Sequence, residues 1–154
     1  MTDPTTAKIK MATAPLVIHS QYIKDFSFEA PNVPSIFQEI QEPPAVSIHV
    51  DIDTYELKQN TFEVTLSYHI KSVIEDKVAF ILEFIYAAMV SVNAPQEHVR
   101  PILMIEVPRL LFPFTRSIIA DISRDAGFSP LIMAPIDFVS RYSQQLEERK
   151  HVAA

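Results

Sequence analysis

From Ala45 to Glu56 apolar and polar residues alternate without a break. Val46, Ile48, Val50 and Ile52 fall on one side, and Ser47, His49, Asp51 and Asp53 fall on the other. Period two over this length predicts a half-buried strand. Residues 61–73 repeat the pattern, with Phe62, Val64, Leu66, Tyr68 and Ile70 inward and Thr61, Glu63, Thr65, Ser67, His69 and Lys71 outward. The polar link at 58–60 is so short that the two runs must form an antiparallel hairpin. A second turn at 74–77 leads into VAFILEFIYAAMVSV at 78–92, whose β-branched and aromatic content predicts a third consecutive strand. Residues 15–29 form a fourth candidate. Residues 30–44 carry Pro31, Pro34, Pro43 and Pro44 and read as an extended connection without an element of its own.

From Pro108 the period lengthens. Leu110 or Leu111, Phe114, Ile118 and Ile122 recur at helical spacing, Arg116, Asp121 and Arg124 take the other side, and Gly127 stands just past the expected end. Pro113 falls within the first turns and should bend them. A second helix is expected from Asp137, a good N-cap, with Phe138, Tyr142 and Leu146 on one narrow stripe. The order predicts an α+β fold: a four-stranded antiparallel sheet with two C-terminal helices. Residues 1–14 read as a flexible leader, 15–148 as one domain, and 149–154 as a flexible tail.

Composition narrows the chemistry. The 154 residues suffice for one domain with a real core, and 48% apolar against 21% charged residues is globular. A net charge of −6 repels a phosphate backbone, so nucleic acid is not an expected partner. The absence of cysteine removes disulfides, thiolate metal sites and a Cys nucleophile, and fits a reducing compartment. A single glycine leaves no phosphate-cradling loop. The longest apolar run is shorter than a membrane span and contains Glu83, so no membrane insertion is expected. Neither an esterase elbow nor a His-Glu-x-x-His pair is present, so an enzyme is not the expected class and no cofactor is called for.

One arrangement has metal-ligand chemistry. His49, Asp51 and His69 lie on the outward sides of neighbouring strands, where imidazoles can share a metal, although polar residues on a strand's outer face are more often simply solvated. A second anomaly is the run at 78–92, apolar on both sides: Val78, Phe80, Leu82 and Phe84 on one, Ala79, Ile81, Ile85 and Met89 on the other. Either the strand is central and doubly packed, or other subunits or a bound chain cover its second face. The stripe Leu111, Phe114, Ile118, Ile119 and Ile122 is likewise broader than one sheet contact requires, and these five are the expected oligomer interface.

Taken together, YIKDFSFEAPNVP at 22–34, Phe37-Gln38, LLFPFTRSIIADISRDAGFSPLIMAPIDF at 110–138 and Gln144-Gln145 resemble the SecB family of bacterial secretion chaperones over residues 16–146. The first of these motifs is long enough to be specific. Departures from the family pattern are the missing Trp, with Ile40 near its place, Ala87-Ala88 for a glycine pair, and Phe114 for a tyrosine. The resemblance implies an ATP-independent, cytoplasmic holdase that forms a homotetramer as a dimer of dimers. It would keep precursor proteins unfolded for export and deliver them to the motor SecA. It also implies that Asp25, Glu29, Ile81 and Glu83 lie at positions docking the basic, zinc-binding C-terminal segment of SecA. The 30–44 connection would wall a groove for unfolded chains opposite the last helix, with Phe37, Ile40, Tyr142 and Leu146 as the apolar contacts. The alternative is a small SecB-like binding domain serving a different partner, without an export role.

The strand at 22–29 fits this division. Alternation presents Asp25, Ser27 and Glu29 on one side and points Phe26 and Phe28 away as anchors.

Overall fold

The computed structural model describes residues 14–152, so all but the last residue of the expected 1–14 leader lies outside it. Four long strands, β1 (Leu16–Glu29), β2 (Ala45–Lys58), β3 (Thr61–Ile74) and β4 (Lys77–Val92), form one antiparallel sheet in the order β1-β4-β3-β2. Their bounds agree with the alternation to within two residues. The β3–β4 hairpin turns on two residues, Glu75 and Asp76, at φ 46° and 66°. Positive φ at both positions matches the right-handed strand twist, here without glycine.

Alternation sets which face each residue joins, and position in the sheet sets how far it is covered. β4 is paired on both sides, by β1 and β3. Its second apolar side is therefore flanked by side chains of its own chain: Ala79 and Ala87 are fully buried, and Ile81, Ile85 and Met89 are half-buried. The flanking strands thus close over the two alanines, while Ile81, Ile85 and Met89 keep open surface on that side. Thr61, Glu63 and Thr65 point outward as expected, yet β1, folding back along β4, leaves them buried as well.

The helical layer differs more from expectation. Helix α1 (Gln96–Pro101) runs through a π-helical segment, Ile102–Glu106, into α2 (Val107–Asp125). The Val107 N–H reaches back to the Ile102 carbonyl, and Pro101 and Pro108 have no N–H to give, so the widened turn carries the helix past both prolines. α2 ends in a Schellman motif: the Phe128 N–H donates to the Ser123 carbonyl and the Gly127 N–H to the Arg124 carbonyl, with Gly127 at φ 98°. α3 (Phe138–Val152) starts where expected. Asp137 accepts the Ser140 N–H at 3.1 Å and its hydroxyl at 2.7 Å, and these bonds hold the carboxyl below its usual range. The helix continues to Val152, so the boundary drawn at 148 falls inside an element.

The 30–44 connection is not merely extended. It contains a 3₁₀ turn, Ser35–Gln38, that buries Ile36 completely. Asn32 fixes its start, donating from Nδ2 to the Val78 carbonyl at 2.9 Å and accepting the Ile36 N–H at 2.9 Å.

The core lies between the inner sheet face and α2. There the Tyr68 hydroxyl meets Thr115 Oγ1 at 2.6 Å, and the Tyr68 ring stacks on Phe84 with centroids 4.8 Å apart. This packing corrects the expected oligomer interface. Leu111 and Ile119 are wholly buried within their own chain, and Ile118 and Ile122 pack against the same core. Of the five, only Phe114 stands well exposed, at 50%, and the residue beside it is Leu110, at 48%. Because both members of the Leu110-Leu111 pair are apolar, the sequence pattern alone cannot say which one turns inward.

Candidate functional site

Two surfaces carry the residues singled out by the sequence. The first is the outer sheet face. Asp25 stands opposite Ile85, Ser27 opposite Glu83 and Glu29 opposite Ile81, while across the other side of β4 Glu83 faces His69 and Ile81 faces Lys71. Directly opposed residues share a face, so Asp25, Glu29, Ile81 and Glu83 stand on one surface. A β1 bulge between Ile23 and Asp25 resets the alternation and turns Asp25 to this side.

The histidines join the same face, each beside a carboxylate. His69 Nδ1 lies 2.7 Å from Glu83 Oε1, and His49 Nε2 lies 3.3 Å from Asp51 Oδ2, with His49 directly opposite His69. A shallow depression of about 280 Å³ collects Asp25, His49, Asp51, His69 and Glu83. Each imidazole is taken up by a separate carboxylate. Among the described residues no group of three or more His, Asp or Glu is placed to hold a metal. The face is therefore a solvated acidic surface.

Farther along this face is a part-buried polar cluster that the sequence does not announce. Tyr22 donates its hydroxyl to Glu63 Oε2 at 2.5 Å, and Lys24 donates to Oε1 at 2.6 Å. Tyr22 and Glu63 lie on strands separated by β4, where they stand opposite Ala87 and Met89 respectively. The Lys24 and Tyr22 hydrogen bonds hold the Glu63 carboxyl below its usual range. Burial, reinforced by Glu63, pushes the Tyr22 phenol up to about 12.

The second surface lies beside β2, an edge strand of the sheet, and centres on an apolar cavity. At one end Phe37 packs on Phe128, centroids 5.1 Å apart, and Phe128 packs on Phe80 at 5.3 Å. Ile40 lines a largely apolar cavity of about 270 Å³ with Val46, Ile74, Phe80, Phe128 and Leu131. Ser123 holds this wall in place, its buried hydroxyl donating to the Ile119 carbonyl and accepting the Leu131 N–H, both at 2.8 Å. Gly127 leaves room for Phe37, since a Cβ there would stand 2.9 Å from Phe37 Cζ. Gly127→Ala is expected to cost about 1–2 kcal/mol for the left-handed backbone alone. A Phe37→Ala change made with it should recover any steric part, read as non-additivity in a denaturation cycle.

Toward the other end α3 lies over β2, where Arg141 donates from Nη1 to the Val50 carbonyl. Tyr142 packs half-buried against the core, and Leu146 is partly exposed on the same helix. Ile40 lines the cavity and Phe37 packs on Phe128 of its wall, whereas Tyr142 and Leu146 stand apart from it. Ile48, on the inner side of the β2 edge yet 38% exposed, lies in the strand between the two ends. Sequence reasoning missed Phe128, Leu131, Val46 and Ile48. The available signal was the run FSPLIMAPI at 128–136, too apolar for an ordinary solvated loop.

Comparison with known proteins gives a consistent result. The sequence model of the family described as "Preprotein translocase subunit SecB" matches residues 10–149. The protein-export protein SecB of Rhodospirillum rubrum is 49% identical, covering 92% of this chain and 88% of the relative. That of Paramagnetospirillum magneticum is 43% identical over 96% of this chain and 95% of its own. Among solved structures, the fold is similar to the Mycobacterium tuberculosis Rv1957 SecB-like chaperone in complex with a ChAD peptide from the Rv1956 HigA1 antitoxin. That match has a TM-score of 0.67 at 12% identity and covers 79% of this chain and 91% of the other.

Proposed function

The chain belongs to the SecB family of protein-export chaperones, and we propose that it works as an ATP-independent holdase that keeps precursors unfolded and passes them to SecA. The observation that carries the reading is the largely apolar cavity beside the β2 edge, lined by Ile40, Val46, Phe80 and Phe128. Such a surface takes apolar side chains of an extended chain without demanding a sequence. Each buried leucine or phenylalanine of a client contributes roughly 1.5–3 kcal/mol, so holding a chain needs several contacts at once. Phe37, Ile40, Tyr142 and Leu146 are the proposed contacts, in two groups beside β2.

The acidic outer face is the proposed dock for the basic, zinc-binding C-terminal segment of SecA, through Asp25, Glu29, Ile81 and Glu83. It lies on the opposite side of the sheet from the client-facing residues of β2, so motor and client need not compete.

Assembly into a dimer of dimers is supported by apolar surface left open in one chain. β1 is a 14-residue edge strand with no buried residue, and it exposes Ile23 and Phe26, as α2 exposes Leu110 and Phe114. A cytoplasmic site of action accords with this role, and no described helix is long and apolar enough to cross a membrane.

The test mixes purified protein with a client diluted from denaturant, without nucleotide. Aggregation should be suppressed near one assembly per client, a folded client should be ignored, and light scattering should give the mass of four chains. Ile40→Asp together with Leu146→Asp should abolish suppression at unchanged mass. Suppression without any binding to SecA would favour the SecB-like domain that serves another partner.

A further inference from the structure

Along β4, the register of β1 places Tyr22 opposite Ala87, Ile23 opposite Tyr86 and then Asp25 opposite Ile85, with Lys24 unpaired between them. Such a bulge sets two residues of one strand against one of its neighbour. Without it, period two would send Asp25 and Glu29 to the inner face of the sheet and Phe26 and Phe28 to the outer one. One extra residue therefore decides on which side the acidic half of β1 stands.

That residue is tied across the sheet. Lys24 Nζ donates to Glu63 Oε1 at 2.6 Å, and the Tyr22 hydroxyl donates to Oε2 at 2.5 Å, so one β3 carboxylate grips the bulge from the far side of β4. The Glu63 side chain is 11% exposed and that of Lys24 50%. Beside the bulge, Asp25 Oδ1 accepts the Phe26 N–H at 2.9 Å. Farther along, Phe28 stacks on Phe80 with centroids 5.5 Å apart and secures the end of the strand. Phe26 is 39% exposed and lies 6.0 Å from Phe84, a looser anchor, so the strand next to Asp25 is held chiefly through Lys24.

We propose that Lys24, gripped by Glu63 and Tyr22, is a positioning residue for motor docking, fixing the bulge that sets the Asp25 carboxylate on the outer face. This role rests on the reading of that face as the dock for the basic segment of SecA, and it gives a cation a part in binding a cationic partner. By charge alone an ammonium on an acidic face repels such a partner. The Lys24 charge is matched by Glu63, whose carboxyl is held below its usual range by the Lys24 and Tyr22 hydrogen bonds, so what Lys24 adds is geometry. The two effects have opposite signs.

The experiment titrates the basic C-terminal segment of SecA against the full chain as wild type, Lys24→Met, Lys24→Arg, Asp25→Asn and the double variant Lys24→Met, Asp25→Asn. An unfolded client is titrated in parallel and the mass is read by light scattering. Lys24→Met leaves the face one negative charge richer, which by charge alone should tighten binding. The expected result is the reverse, a loss of roughly fivefold, about the contribution of one exposed ion pair. Lys24→Arg, which can keep the pair with Glu63, should bind like wild type. Once Asp25 is Asn, Lys24→Met should bring no further loss. Client affinity and mass should stay as in wild type throughout. Unchanged or tighter binding by Lys24→Met overturns the positioning role and leaves the dock standing, and an equal loss in the Asp25→Asn background overturns the route through Asp25. Loss of client binding or of mass in Lys24→Met overturns the role as well, since Lys24 would then support the sheet as a whole. Failure of the segment to bind wild type overturns the dock, and this inference with it.

Discussion

Leu111→Ala is expected to lower the free energy of unfolding by about 2–5 kcal/mol while leaving the mass of the assembly unchanged. Leu111 is fully buried in the single chain, between α2 and the inner sheet face, and the truncated side chain leaves a void that close-packed neighbours fill only in part. Against a typical total of 5–15 kcal/mol this is a large fraction of stability, though the chain should still fold at moderate temperature. Phe114→Ser should do the reverse. Its ring is half exposed and lies 6.5 Å from the Tyr86 ring, so little core is lost, but one of the apolar groups available to another subunit is removed. Denaturant titration and light scattering on the two variants separate the roles. A Leu111→Ala protein of normal stability but reduced mass would return this residue to the interface.

That correction shows where pattern reading stops. Period two located β2 and β3 because each has one face packed and one face wetter, whereas β4, apolar on both sides, was found by its β-branched and aromatic content. Helix α1 and the π segment escaped the same treatment. Residues 96–106 contain Pro101 and run into Pro108, which punctuate the sequence as breaks, and only the tertiary fold shows a helix widening its turn to continue past them. The 3₁₀ turn at Ser35–Gln38 was hidden for a related reason. Its stability comes from Asn32 bonding to a carbonyl 46 residues away and from the burial of Ile36, neither of which is a local property.

The candidate sites divide along the same line. Asp25, Glu29, Ile81 and Glu83 were named together by the family resemblance, and the strand pairing then sets them on one face, though the His69 contact to Glu83 depends on a rotamer that no spacing encodes. The apolar cavity was half legible. Phe37 and Ile40 lie in the connection that forms its wall, but Phe128 and Leu131 reach it only through the loop that Ser123 ties to α2. The Tyr22–Glu63–Lys24 cluster was illegible, since it joins strands that are not neighbours, with β4 between them.

Glu83→Lys is expected to weaken binding of the basic C-terminal segment of SecA by roughly a hundredfold, because it replaces an attraction at the proposed dock with a like-charge contact costing several kcal/mol. The fold should tolerate the change. The Glu83 side chain is 55% exposed, its partner His69 is 52% exposed, and exposed pairs contribute little to stability. Lysine can extend from a strand into solvent, and Asp25, Glu29 and Asp51 remain on the same face to offset its charge. The proposed client contacts lie by the inner side of β2, and β3 stands between β2 and Glu83 on β4, so holding should persist. Wild-type affinity for the segment should fall steeply as salt rises toward physiological strength, and the variant should show a shallower dependence, since much of the screened attraction is already gone. Glu83→Gln, which removes the charge without reversing it, should fall between the two. The measurement is titration of each protein against the segment at two salt concentrations, with an unfolded client titrated in parallel. Unchanged affinity for the segment would move the dock off this face. Loss of client and motor binding together would show that Glu83 and His69 support the sheet rather than a partner.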